Sequence, residues 1–161
     1  MTKKFIVGKL GKPHGLKGYA YIHLNEYLKR YDFKDIEIEI NKERFSIEEL
    51  KNHLRDRHLI KLYKINSIEQ IKEKRDSYIY LDFSSIIKMK QDLPWPEIFL
   101  GERIKNIDNL EIFLSSYKVY NSNTVLELTS NSSESYMVPY VTQNFKFDGK
   151  HLYLNENLAI Y

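Results

Sequence analysis

Residues 8–18, Gly8-Lys9-Leu10-Gly11-Lys12-Pro13-His14-Gly15-Leu16-Lys17-Gly18, decide how this chain is read. Four glycines, three lysines, a proline and a histidine stand directly before the strand-like run Tyr19-Ala20-Tyr21-Ile22-His23-Leu24. Glycine permits positive φ and the close approach of another molecule, and the lysines place positive charge at the same point. The stretch therefore predicts a rigid cationic loop at the mouth of a β structure. It is not a nucleotide fingerprint. A Walker loop needs Gly-Lys-Ser/Thr four residues after its first glycine, and a dinucleotide fold needs a helix after the glycines. Here β-prone residues follow instead. From the residues alone two readings stay open: a hairpin with solvated lysines, and a loop that meets phosphates.

Working outward, 161 residues suffice for one domain or two small ones. Thirteen tyrosines with many Ile and Phe favour strands. No apolar run reaches the length of a membrane helix, the N-terminus lacks a signal-peptide pattern, and there is no cysteine for disulfides or thiolate metal sites. A soluble cytoplasmic protein without membrane association is the expectation. The net charge of +3 hides an asymmetry. Residues 1–92 carry 20 Lys and Arg against 14 Asp and Glu, whereas residues 93–161 carry 5 against 8. The first acidic residue, Glu26, comes only after five lysines. Such a change of sign suggests two modules with different partners. The basic one suits RNA phosphates, or is simply a solvated basic surface.

In the first half, strands are expected at Phe5–Lys9, Tyr19–Leu24, Asp35–Ile40, Arg44–Leu50, His58–Tyr63 and Ser77–Asp82. Glu37-Ile38-Glu39-Ile40 alternates strictly, as a half-buried strand does. Ser67 is positioned to cap a short helix over 67–74. Six strands around one helix predict a closed barrel over 1–87, since closure removes exposed sheet edges. A linker is expected over 88–97, where Pro94 and Pro96 remove backbone donors. A second small barrel is expected over 98–161, from strands at 99–107, 110–114, 118–120, 124–129, 136–138, 144–147 and 151–154. Asp108-Asn109 and Asp148-Gly149 supply its hairpin-type turns.

Gly8, Gly11 and the His14-Gly15-Leu16-Lys17-Gly18 turn leading into a strand resemble the N-terminal signature of the RimM family of ribosome maturation factors. Tyr19 stands where that family usually has an acidic residue. Farther on, His58-Leu59-Ile60-Lys61-Leu62, the 67–74 helix and Tyr78-Ile79-Tyr80-Leu81 resemble the end of its first domain. Phe99-Leu100-Gly101, Met137-Val138-Pro139-Tyr140-Val141 and Asp148–Leu154 resemble elements of its second. The resemblance implies a mostly β protein of two small barrels, the first translation-factor-like and the second PRC-barrel-like. It also implies a non-enzymatic assembly factor that binds a ribosomal protein of the small-subunit head and 16S rRNA of immature small subunits. The family usually carries an aromatic pair just before the second barrel; here Pro94-Trp95-Pro96-Glu97-Ile98 offers one aromatic.

No catalytic constellation emerges. Histidines 14, 23, 53, 58 and 151 lack a metal-ligand spacing, and the serines lack a nucleophile-elbow context. No cofactor, metal or catalytic residue is expected, and a monomer is. Lys12, His14, Gly15, Lys17, Arg55 and Arg57 are the candidate RNA contacts, positioning the phosphate backbone rather than reading sequence. Trp95, Phe99, Tyr136 and Tyr140 are the candidate protein contacts, because large amphipathic side chains often dominate interfaces. For Phe99 and Tyr140 core packing is the competing reading; Trp95, between two prolines, is the aromatic expected to be exposed. Two rival functions remain: an RNA-modifying or processing enzyme, and a general PRC-barrel adaptor.

Overall fold

The computed structural model describes residues 3–89, 92–121 and 123–155. Lys90 and Gln91 of the expected linker, Ser122, and the end of the expected second barrel at 156–161 lie outside the described residues. The chain forms two compact units, Met1–Met89 and Lys90–Tyr161.

The first unit is a closed barrel of six strands: β1 (Lys4–His14), β2 (Tyr19–Leu24), β3 (Glu37–Ile40), β4 (Glu43–His53), β5 (Arg57–Leu62) and β6 (Tyr78–Asp82), in the spatial order β1-β2-β5-β4-β3-β6. Closure follows from β1, which pairs antiparallel with β2 along one side and with β6 along the other. The cause is period-two patterning. Ala20, Ile22 and Leu24 of β2 point inward with Ile38, Ile40, Ile60, Leu62, Ile79 and Leu81, while Tyr19, Tyr21 and His23 alternate with them on the outside. Burying a side chain such as Ile60 or Leu62 contributes about 1.5–3 kcal/mol each.

The opening stretch differs from its expectation. Residues 8–14 are the second half of β1 rather than a loop; only residues 15–18 turn. The register of β1 on β2 shifts between Leu10 and Pro13, a bulge that lets the glycines and the proline, which has no N–H for the ladder, stay in a strand. Gly18 shows why the turn needs glycine. Its φ is +97°, and a Cβ there would lie 2.3 Å from the backbone oxygen of Ile65. The turn is thus packed directly on the segment that precedes helix α1 (Ile68–Lys72). Ser67 caps this helix, its Oγ accepting from the Gln70 N–H at 3.3 Å. A 3-10 turn at Glu26–Arg30 and helix α2 (Phe83–Lys88) lie outside the expected elements. The latter is capped by Asp82, whose Oδ1 accepts from the Ser85 N–H and the Ser84 hydroxyl, each at 2.8 Å.

The second unit is also β, with a four-stranded sheet and a hairpin. The sheet has the order β10-β9-β8-β7 and is built from β7 (Arg103–Ile104), β8 (Ile112–Val119), β9 (Thr124–Ser130) and β10 (Ser135–Pro139). It forms a curled half-barrel. The hairpin joins β11 (Phe145–Phe147) to β12 (Leu152–Leu154), and a parallel bridge between Lys105 and Tyr153 ties it to the β7 end of the sheet. The expected strand 99–107 is mostly not a strand: Pro96 begins a 3-10 turn over Pro96–Phe99, and Gly101 follows with φ +77°. The expected pair 110–114 and 118–120 is one strand, β8, with a register shift between Leu114 and Ser116. Among the described residues no helix is long and apolar enough to cross a membrane.

Candidate nucleic-acid interface

The outer face of β1, β2 and β4 collects rings and cations. Alternation turns Tyr19 and Tyr21 outward on β2. The β2–β5 and β5–β4 ladders then place Tyr21 beside Leu59 and Leu59 beside Lys51, so β4 presents Lys51 and His53 to the same face. His14, at the end of β1, completes the group. Its ring centroid lies 5.4 Å from that of Tyr21, edge-on, and 4.6 Å from that of His53. The Tyr21 hydroxyl and His14 Nδ1 share a hydrogen bond of 3.2 Å.

Cations sit over these rings. Lys12 Nζ is 5.8 Å and Arg57 Cζ 5.4 Å from the Tyr21 centroid, and Lys51 Nζ is 4.9 Å from that of Tyr19. Each such contact at an exposed site is worth about 0.5–1 kcal/mol and holds a flexible side chain near one place. Tyr19 donates a 2.6 Å hydrogen bond to Glu49 Oε2. That bond to a carboxylate raises the phenol above its ordinary value, so Tyr19 stays neutral and oriented. The result is a surface of exposed positive charge interleaved with π faces, the chemistry that backbone phosphates and unstacked bases both accept.

Lys12, His14 and Arg57 of the sequence-derived RNA candidates come together around Tyr21. The other three are at tips. Gly15 and Lys17 occupy the β1–β2 turn, beside Leu16, which is 78% exposed. Arg55 stands in the β4–β5 turn with φ +55°. Lys51, a further basic residue that the sequence offers for phosphate contact, joins them, whereas Tyr19, Tyr21 and His53 are not singled out by the sequence. The Tyr-x-Tyr-x-His alternation of 19–23 marks three of the outward positions on one strand, but nothing local to residues 51–53 ties them to it.

Beside this face, toward the β4–β5 turn, the barrel surface sinks into an open concavity of about 470 Å³. Lys12, Tyr21, Lys29, Arg57, Arg75 and the largely buried His58 line it. Asp56 and Asp76 add two carboxylates.

In the second unit the aromatic candidates divide sharply. Trp95 is 0% exposed, correcting the expectation of an exposed anchor, and Phe99 and Tyr140 are buried as well. The flanking prolines do not hold Trp95 out in a linker; Pro94 and Pro96 are themselves buried, and Trp95 precedes the 3-10 turn that carries Ile98 and Phe99 into the core. Phe99 meets Phe147 edge-on at 5.7 Å, and Tyr140 meets Phe145 at 5.4 Å. The Tyr140 hydroxyl donates to the Pro94 carbonyl at 2.6 Å. Tyr136 alone is half-exposed. It lines a groove of about 660 Å³ with Leu110, Ile112, Leu128 and Val138, and Glu111 and Glu134 stand at its edge.

Among the described residues no group of three or more His, Asp or Glu side chains is placed to hold a metal ion.

The family model described as the RimM N-terminal domain matches residues 5–85. This chain belongs to the RimM family. Ribosome maturation factor RimM proteins from strains of Clostridium perfringens are 27% identical over 93 residues, covering 57% of this chain and 55% of theirs. The chain thus spans about half the length of the curated relatives it matches. Among solved structures, a 16S ribosomal RNA processing protein RimM from Pseudomonas aeruginosa is 12% identical with a TM-score of 0.42, covering 96% of this chain and 98% of that one. The N-terminal domain of RimM from Thermus thermophilus is 13% identical with a TM-score of 0.44, covering 52% of this chain and 94% of that one.

Proposed function

We propose that this protein is a non-enzymatic ribosome maturation factor of the cytoplasm. It assists assembly of the small-subunit head and processing of 16S rRNA by binding a small-subunit ribosomal protein and the rRNA near it. The observation that carries this reading is the family match over residues 5–85. Two features of the molecule support it. The barrel of the first unit presents Lys12, Lys51 and Arg57 around outward-facing rings, and each phosphate they neutralise releases a counterion and adds to affinity. The groove at Tyr136 in the second unit has apolar walls and an acidic edge, which suits a basic protein of the kind that packs against rRNA.

The work done is differential binding. A factor that prefers the immature junction of protein and RNA shifts the particle toward that arrangement and leaves when maturation removes the preference. Fractionation of a tagged chain on a gradient tests this. Co-migration with small-subunit precursors, and accumulation of immature small subunits in a deletion strain, are the expected results. A normal subunit profile in the deletion strain would overturn the reading. Turnover of an RNA substrate by the purified chain would replace it with an enzyme.

A further inference from the structure

The concavity beside Tyr21 has a composition that neither a structural barrel end nor a plain phosphate contact needs. It is roomy, and its volume of about 470 Å³ falls within the range of ligand pockets, about 300–1,000 Å³. Its walls combine three chemistries. Lys12, Lys29, Arg57 and Arg75 supply cations. Tyr21 supplies an aromatic ring that is half-exposed on the outer face. Asp56 and Asp76 supply carboxylates. His58, only 7% exposed, adds an imidazole to the lining.

A bare phosphate site explains only part of this. Two carboxylates beside a bound anion would weaken it, whereas a carboxylate accepts well from the amino or imino N–H of a base, or from a ribose 2′-hydroxyl. An aromatic ring next to cations is the usual platform for a base whose own phosphate is held nearby. Arg57 and Lys12 are exposed, and each now rests over the Tyr21 ring, so both can turn to a phosphate when a base takes that ring.

We propose that this concavity binds one unstacked nucleotide of single-stranded RNA. The base stacks on Tyr21, Asp56, Asp76 and His58 meet its polar edge and the ribose, and Lys12, Arg57 and Arg75 hold the adjoining phosphates. A duplex keeps its bases stacked and offers this site phosphates alone. The proposal rests on the reading above that the first unit meets rRNA, and makes it specific: the target is a loop, bulge or end that can give up a base.

Fluorescence anisotropy with the full chain tests it, using a short labelled single-stranded RNA and a blunt RNA duplex of the same length. The single strand is expected to bind more tightly. Tyr21→Ala should weaken the single strand about five- to hundredfold, the range for losing one stacked base, and leave the duplex nearly unchanged. Arg75→Gln, on an exposed position, should weaken binding and lower the salt slope by about one. Should Tyr21→Ala fail a circular-dichroism check of folding, Tyr21→Leu, which keeps the bulk and removes the π face, carries the same comparison. Equal binding of single strand and duplex, or a Tyr21 variant that affects both alike, would overturn the nucleotide site. Co-migration with small-subunit precursors would then still stand or fall separately, because it needs only the phosphate contacts and the second unit.

Discussion

The tyrosines of β2 in the first unit and the rings around Trp95 in the second are used in opposite ways. In the first, Tyr19 and Tyr21 are turned outward from a closed barrel and sit under lysine and arginine side chains. In the second, Trp95, Phe99, Tyr140 and Phe145 are drawn into the core. The difference lies in the strands that carry them. A closed barrel fills its interior with Ala, Ile and Leu from every second position, which leaves the intervening positions of β2 free to carry large polar-tipped rings at no cost in packing. The second unit has a four-stranded sheet and a short hairpin, and its core is completed by the 94–99 segment and by Tyr140. The rings of β2 are thus available at the surface, whereas those of the 94–99 segment and Tyr140 are structural filling.

Substitutions can break or sharpen that contrast. The largest effect is expected for Trp95→Ala. Removal of a fully buried indole should cost about 3–5 kcal/mol in a denaturant titration and leave affinity for RNA unchanged. If Trp95→Ala instead left stability intact and abolished partner binding, the contrast would collapse. Next comes the turn that opens β2. Gly18→Ala puts a Cβ into the Ile65 carbonyl at a positive φ, and should destabilise the first unit by about 3 kcal/mol. Gly15→Ala, with φ +69° and nothing within 4 Å of its Cβ, should cost only about 1–2 kcal/mol. Equal losses at the two glycines would show that the turn is not seated on residues 65–66 as described.

Smaller effects follow at the caps. Ser67→Ala removes the acceptor for the Gln70 N–H and should lower stability by about 1 kcal/mol, read from the shift in the unfolding midpoint. The smallest effect is a pH dependence in the second unit. The His151 and Lys150 backbone N–H groups bond the Asp148 carboxylate and hold its pKa at about 2, below the ordinary 3.8. Because the folded value is depressed, the stabilisation is present above pH 3.8 and is lost as pH falls toward 2. Asp148→Asn should flatten the acid limb of the stability profile in that window and leave neutral-pH folding cooperative.

Much of the barrel is legible in the residues themselves. The strand Tyr19–Leu24 has the expected boundaries, and the Ser67 cap stands where the hydroxyl places it, its helix ending at Lys72, two residues short of the expected end. Two features are not legible, for the same reason. The strand character of 8–14 depends on a bulge against β2, and local composition registers only glycine and proline. The meeting of His14, Tyr21 and His53 depends on a ladder that passes through β5, so residues 32 positions apart come into contact. Trp95 is the reverse case: prolines on either side advertise an exposed connector, and nothing near them in the chain reports the core that receives the indole.

The central claim is that RNA meets the outer cationic face of the first unit, around Tyr21, and not the second unit. Ultraviolet crosslinking of the full chain to small-subunit precursors, followed by mass-spectrometric mapping of the attached peptides, measures this directly. Crosslinks are expected at residues 12–23 and 51–57, with a loss of the first set in Tyr21→Ala. Crosslinks confined to residues 93–155, or an unchanged pattern in that variant, would contradict it.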